Sequence, residues 1–425
     1  LLRGFPLPAK LFPYIERGST VLNWMERDQE VIMSTYGRLP IVIERGEGNY
    51  LYDEDGKKYL DLFTGLAVNI LGHSHPDILK ALTDQASKFL HISNYFYNKP
   101  AIALAENLIA SSIKGKVFFA NSGAEATEAA LKFVHKWAKE QKEKKQGVVV
   151  LKNSFHGRTL GALKLTRQAG VYQDFPVTDV PVYEVEPHDV EALENVFKQF
   201  SPAAIVVEPV LGSGGIVTLK QDYLRDIASL CKTYGVLCCM DEIQTGVGRT
   251  GTFFAYQQAG IEPDVILFAK GIGGGLPLGG IIVAERYAHV FKPGDHGTTF
   301  GPSPLSAALG NAVFDVLMKQ GQLEKGKLVA DELHEQMNVL MEKYSEIITE
   351  VRGMGMMLGL VMNVDAGSVK EIQRQLLEDG IMVDVTQQTI IRLLPPLTLT
   401  ADEVKWFHTK LEEKIQTVVN NNVKS

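Results

Sequence analysis

Between residues 76 and 315 the sequence alternates helical patterns with short, unbroken apolar runs, at 117–120, 148–151, 203–207, 236–240, 265–268 and 280–283. A run with no polar face has nothing to show to water, so a strand of this kind must be covered on both sides. The intervening helices supply that cover, and the arrangement that satisfies both is a mostly parallel sheet in an α/β layer architecture. After a helical stretch near 303–344 the pattern returns to strands at 356–362, 381–385 and 390–394 and to helices at 368–379 and 401–418. At the other end, 16–36 reads as a helix that docks on something else, and 40–62 as short alternating runs with a hairpin turn over 53–56. A chain of 425 residues is expected to hold two or three lobes. The expected division is an amino-terminal arm with part of a small domain (1–75), a large domain (76–325) and the rest of the small domain (326–425), so that both ends build one α+β lobe.

Charge and cysteine usage narrow the function classes. The formal net charge is -7, and the lysine-rich stretch 136–145 is interrupted by Glu140 and Glu143, so it reads as a solvated helix end and nucleic acid is not expected as a partner. No apolar run approaches the roughly 20 residues that span a bilayer, and no membrane partner is expected. The three cysteines are an odd number, and Cys238 and Cys239 lie inside an apolar run, which argues against a disulfide framework and for a reducing compartment. No secretory signal is read at the amino terminus. The cytoplasm is expected; a chain beginning at Leu1 is also compatible with an organelle matrix after removal of a targeting segment.

Chemistry concentrates where the apolar runs end, the edge at which open α/β sheets bind ligands. Asn121-Ser122-Gly123-Ala124-Glu125 follows the first run and opens a helix, a ready site for an anion. Ser154-Phe155-His156-Gly157-Arg158 follows the second and offers an aromatic face and a guanidinium. The run 236–240 leads into Asp241, a carboxylate that needs a cationic or hydrogen-bonded partner if buried. His73 and His75 lack the surrounding ligand pattern of a metal centre, and none is expected. Lys270 emerges from an apolar strand into a string of small residues, where desolvation favours a neutral, nucleophilic amine capable of Schiff-base chemistry. The glycines after it do not form a phosphate-binding P-loop, because no Gly-Lys-Ser/Thr closes them. An anion cradle, an aromatic, a strand-end aspartate and a strand-end lysine together match a phosphorylated pyridine aldehyde.

The same motifs, with Asp241-Glu242-Ile243-Gln244-Thr245-Gly246 and His296-Gly297-Thr298-Thr299-Phe300-Gly301, closely resemble the class III (subgroup II) aminotransferases from about Tyr36 to Leu411. The resemblance implies fold type I, with a mostly parallel seven-stranded sheet in the large domain, pyridoxal 5'-phosphate as cofactor, and a homodimer with shared active sites. It implies that Lys270 carries the cofactor and moves the proton, that Asp241 pairs with the pyridine nitrogen, and that Gln244 bonds near the ring hydroxyl. It further implies that Phe155 stacks on the ring, that Ser122, Gly123 and Ala124 hold the phosphate, and that Thr298 and Thr299 bind cofactor, Thr299 reaching the neighbouring subunit. Arg158 and Arg392 would take substrate carboxylates, with Glu208 paired to Arg392 and releasing it for a dicarboxylate.

Arg45-Gly46-Glu47-Gly48, Gly65-Leu66-Ala67-Val68-Asn69 and His91-Ile92-Ser93-Asn94 are most similar to the acetylornithine branch. They imply transfer of the ω-amino group of N-acetylornithine to 2-oxoglutarate, with ornithine, succinylated diamino acids and 4-aminobutyrate as alternative donors. A protein that binds the cofactor without turnover is a remoter alternative. Gly65 stands where ornithine enzymes typically carry an aromatic. Gly301-Pro302-Ser303-Pro304 departs from the Gly-Gly-Asn-Pro common in the family, and Leu211 and Ser213 depart from the Gln and Glu frequent near Glu208 in the acetylornithine branch.

Overall fold

The computed structural model describes residues 23–175 and 180–422. Its central sheet has seven strands: β1 (Gly115–Ala120), β2 (Val148–Leu151), β3 (Val182–Val185), β4 (Ala204–Val207), β5 (Leu237–Asp241), β6 (Val265–Phe268) and β7 (Gly279–Ala284), in the order β1-β7-β6-β5-β4-β2-β3. All neighbours pair in parallel except β7, which runs antiparallel to both β6 and β1. Every residue of β2, β4, β5 and β6 is buried. Val149 and Leu151 join one apolar cluster and Val148 and Val150 another, so the strand's two sides feed two separate cores. This is the mostly parallel α/β sheet expected from the apolar runs, with the seven strands that the family resemblance implies.

β3 has no apolar run to announce it. It is the edge strand, paired with β2 alone, and of Val-Tyr-Glu-Val only Val185 is buried. An edge strand keeps part of its length in water, so its sequence loses the signature of a doubly covered one.

β7 opens with two glycines because neighbouring strands crowd it from both sides, one with backbone and one with a ring. A Cβ on Gly280 would lie 2.2 Å from the Phe118 carbonyl oxygen and 2.8 Å from Phe268 Cζ. Gly280→Ala is therefore expected to cost about 1–3 kcal/mol, read as a lower urea midpoint for the cofactor-free protein. An unchanged midpoint would mean that the sheet yields freely at this position.

A second sheet follows, built from Ile348–Met354, Met357–Met362, Ile390–Leu393 and Asp384–Thr386 in that spatial order, all antiparallel. Its first strand, half-exposed and ending in Gly353 and Met354, was not evident in the sequence. The helical stretch near 303–344 is two helices, Pro304–Phe314 and Gln322–Lys343, joined through a π-helical turn over Asp315–Lys319 and a left-handed Gly321. Lys58–Asp61 pairs in parallel with Ile381–Met382, which brings early and late chain together.

Among the described residues, 46–51 with those from 58 on form one compact unit, and 23–45 with 52–57 form another. In the latter, helix Trp24–Val31 has a capping box: Asn23 Oδ1 accepts from Glu26 N at 3.0 Å, and Glu26 Oε2 accepts from Asn23 N at 2.8 Å. Of the helix expected over 16–36, residues 16–22 lie outside the described residues. The hairpin turn is present, with Asp53 Oδ1 accepting from Asp55 N and Lys57 N at 3.1 and 2.8 Å and Gly56 at φ +81°.

Candidate active site

Asp241 is the last residue of β5 and is 2% exposed. Its carboxylate has two partners: Oδ1 accepts from Ile243 N at 3.1 Å, and Oδ2 lies 2.6 Å from His156 Nδ1. Burial opposes charge on His156, but the hydrogen bond and charge of Asp241 outweigh it and hold the imidazole above its ordinary value. The sequence showed that Asp241 needs a partner without showing which. His156 lies in the loop after β2, and the fold carries it past β4 to β5.

Lys270 leaves the adjacent strand. β5 and β6 pair in parallel with Asp241 opposite Leu267, so the lysine emerges just beyond the aspartate along the same edge. Its backbone is left-handed, at φ +53°, a conformation that costs a non-glycine residue about 1–2 kcal/mol and is found where function holds it. Burial, then the Arg392 guanidinium, bring its amine down to about 8, partly offset by Asp241 and Glu208.

The anion end is the start of the helix α1 (Gly123–Lys139), capped by Ser122, whose Oγ accepts from Glu125 N at 3.2 Å. Glu125 turns back to accept from Asn121 N at 2.6 Å and Asn121 Nδ2 at 2.9 Å. Asn121 Nδ2 also donates to Thr298 Oγ1 at 2.9 Å, and Asn94 Nδ2 donates to the carbonyls of Thr298 and Gly301 at 2.8 and 2.9 Å. The two asparagines thus pin the 298–301 loop beside the helix start. Sequence reasoning gave them no such role, because their partners lie far along the chain. Gly123 has no room for a side chain, since a Cβ there would sit 2.9 Å from Ile243 Cγ2. Thr299 is exposed.

Phe155 is half-buried, and the Arg158 guanidinium lies 5.7 Å from its ring centroid. Phe155 N donates to Glu208 Oε1 at 2.8 Å, and Gly212 N lies 3.4 Å from Oε2. Burial, with Asp241 adding to it, raises Glu208 to about 7 against the pull of His156 and Lys270. Gln244 rests on Gly212 so closely that a Cβ there would be 1.8 Å from its Oε1. Arg392 departs from expectation: its Nε and Nη2 reach Asp384 Oδ2 at 2.7 and 2.6 Å, and Glu208 is not its hydrogen-bond partner. The antiparallel register sets Asp384 directly opposite Arg392, a juxtaposition that no local pattern displays.

The residues present suit the phosphorylated pyridine aldehyde. A buried carboxylate aimed by His156 and a backbone N–H matches a ring cation. An amine brought down to about 8 matches a carbonyl, and a helix start with small residues matches a phosphate.

Comparisons with known proteins agree. Residues 31–415 match the aminotransferase class-III family. The acetylornithine aminotransferase of Methanocaldococcus jannaschii is 39% identical over 92% of this chain and 97% of its own length. That of Clostridium acetobutylicum is 39% identical over 91% and 99%. Among solved structures, an ornithine aminotransferase from Toxoplasma gondii ME49 superposes with a TM-score of 0.89 at 29% identity, covering 93% of this chain and 95% of that one. The N-acetylornithine aminotransferase from Stenotrophomonas maltophilia K279a gives 0.80 at 31% identity, covering 93% and 100%. The chain belongs to the class-III aminotransferases, enzymes that work with pyridoxal phosphate.

Proposed function

We propose that this aminotransferase takes the ω-amino group of N-acetylornithine, releasing a semialdehyde, and passes it to 2-oxoglutarate to give glutamate in ping-pong order. The observation that carries this reading is a buried lysine of lowered pKa that feels the charges of a buried arginine, Arg392, and a buried aspartate, Asp241, with a second arginine, Arg158, at the aromatic Phe155. Two guanidiniums suit an acceptor with two carboxylates. The 39% identical relatives named for acetylornithine support the donor. So does the open space at Gly65, where a Cβ would meet nothing closer than Asn69 Nδ2 at 3.8 Å.

Bound pyridoxal phosphate supplies an electron sink for the bond broken at the substrate carbon. Asp241 would pair with the ring nitrogen, Phe155 would stack on the ring, and Gln244 would bond beside its hydroxyl. Ser122, Gly123 and Ala124 would hold the phosphate, Thr298 would also bind the cofactor, and Thr299 would reach the phosphate of the neighbouring subunit. Lys270 would hold the cofactor, and its Nζ would serve as the base that takes the proton from the substrate carbon and as the acid that gives it back. Arg158 and Arg392 hold the carboxylates.

The shared site calls for a homodimer. The exposed Tyr95, Phe96, Tyr97 and Phe300, 66–96% accessible, lie next in sequence to Asn94 and Thr299 and support a large interface there. Three buried free thiols suit a reducing compartment, the cytoplasm or an organelle matrix. Among the described residues no helix is long and apolar enough to cross a membrane.

The likeness to the Toxoplasma enzyme favours ornithine as the second reading. A donor panel of N-acetylornithine, a succinylated diamino acid, ornithine and 4-aminobutyrate with 2-oxoglutarate, scored by glutamate formed, decides between them. The acetylated donor is expected to lead ornithine in kcat/KM by about tenfold or more. Ornithine equal or ahead would move the assignment to ornithine.

A further inference from the structure

Asp384 was not among the residues expected at the site, yet it makes the strongest contact that Arg392 has. Its Oδ2 takes both Nε and Nη2, and the pair is largely enclosed, with side-chain exposures of 6% for the arginine and 23% for the aspartate. The sheet explains why. Ile390–Leu393 lies between two strands, and the residues opposite Arg392 are Asp384 on one side and Gly359 on the other. One neighbour brings a carboxylate and the other brings no side chain.

A guanidinium has five N–H groups. Asp384 occupies the Nε and Nη2 edge, while Nη1 is buried with no hydrogen-bond partner. The Nη1 end is therefore the one left to a ligand, and its fork geometry suits a carboxylate. Glu208 is engaged elsewhere, on Phe155 N and Gly212 N.

The two substrates of the proposed reaction ask opposite things of this arginine. A 2-oxo acid carries a carboxylate on its reacting carbon, whereas an ω-amino donor carries hydrogen there. With the donor bound, a bare buried guanidinium would be strongly disfavoured. We propose that Asp384 is the standing counter-ion of Arg392, a positioning residue that fixes the free end of the guanidinium and sets the balance between acceptor and donor. Its oxygen holds the arginine in place in both half-reactions. Its charge stabilises the site when the donor leaves Arg392 without a ligand, and it tempers the pull on the acceptor's carboxylate. The inference rests on the two-substrate reading above.

The two contributions separate by substitution. Asp384→Asn keeps an oxygen that can accept from Nε and Nη2 but removes the charge. Asp384→Leu removes both. The holoenzyme is titrated with glutarate, an unreactive dicarboxylate, by calorimetry, and the donor and acceptor half-reactions are followed separately by stopped flow. Asp384→Asn is expected to bind glutarate about fivefold more tightly than the unaltered enzyme and to slow the donor half-reaction relative to the acceptor one. Asp384→Leu is expected to bind glutarate about tenfold more weakly.

Both variants shifting in the same direction, or neither shifting, would overturn the proposal. If the leucine variant yields no holoenzyme, the asparagine variant decides: tighter binding supports the counter-ion, and equal or weaker binding refutes it. Failure of the unaltered holoenzyme to bind glutarate at all would instead sink the acceptor assignment, and this inference with it.

Discussion

Lys270→Ala is expected to lower turnover by about ten-thousand-fold, the largest effect of any single substitution in the chain. The side chain leaves β6 onto the edge where Asp241 ends β5, and burial, then the Arg392 charge, bring its amine down to about 8. In the proposed reaction its removal deletes both the covalent anchor and the group that moves the proton at Nζ. Single-turnover kinetics with saturating donor measure the loss, and added methylamine should restore part of it. A variant within tenfold of the unaltered enzyme would refute the assignment.

The same lysine carries a pH signature. Burial and the neighbouring Arg392 charge oppose its protonated form, so in the cofactor-free protein the amine is cationic below about pH 8 and neutral above it. Labelling of Lys270 by an amine-selective reagent should therefore rise through that pH. A midpoint near the ordinary lysine value would mean that the burial is not felt.

Asp241→Ala is expected to cost about a thousandfold in turnover and to loosen the cofactor. The aspartate is the one acidic residue of β5, which the proposed function sets at the ring nitrogen, and it is aimed by two contacts, His156 Nδ1 at 2.6 Å and Ile243 N at 3.1 Å. Its loss also strands the buried His156, whose Nε2 already has no hydrogen-bond partner, so stability should fall as well. Asp241→Asn separates the two consequences, since the amide can keep the contact to Ile243 N but not the charge. Turnover is expected to drop nearly as far in Asn as in Ala, while cofactor affinity holds better. Near-normal turnover in Asp241→Asn would remove the electrostatic role from Asp241.

Much of this was open to reading in the chain itself. Strands covered on both faces must be apolar throughout, so β2, β4, β5 and β6 announced themselves, and Asp241 and Lys270 stood out as the polar residues that end such runs. Local backbone chemistry was legible too: Ser122 opens α1 as its cap, and Asp53 turns the hairpin. The edge strand β3 and the half-exposed Ile348–Met354 escaped, because a strand that faces water on one side can be built from an irregular mixture.

What only the tertiary structure decided is partnership. His156 reaches Asp241 across 85 positions, Asn121 reaches Thr298 across 177, and Asp384 rather than Glu208 takes Arg392. Hydrophobic period and chain chemistry act over a few residues and are written in the order of the amino acids. Which buried charge meets which counter-charge depends on strand order and register, and those exist only once the sheets have assembled.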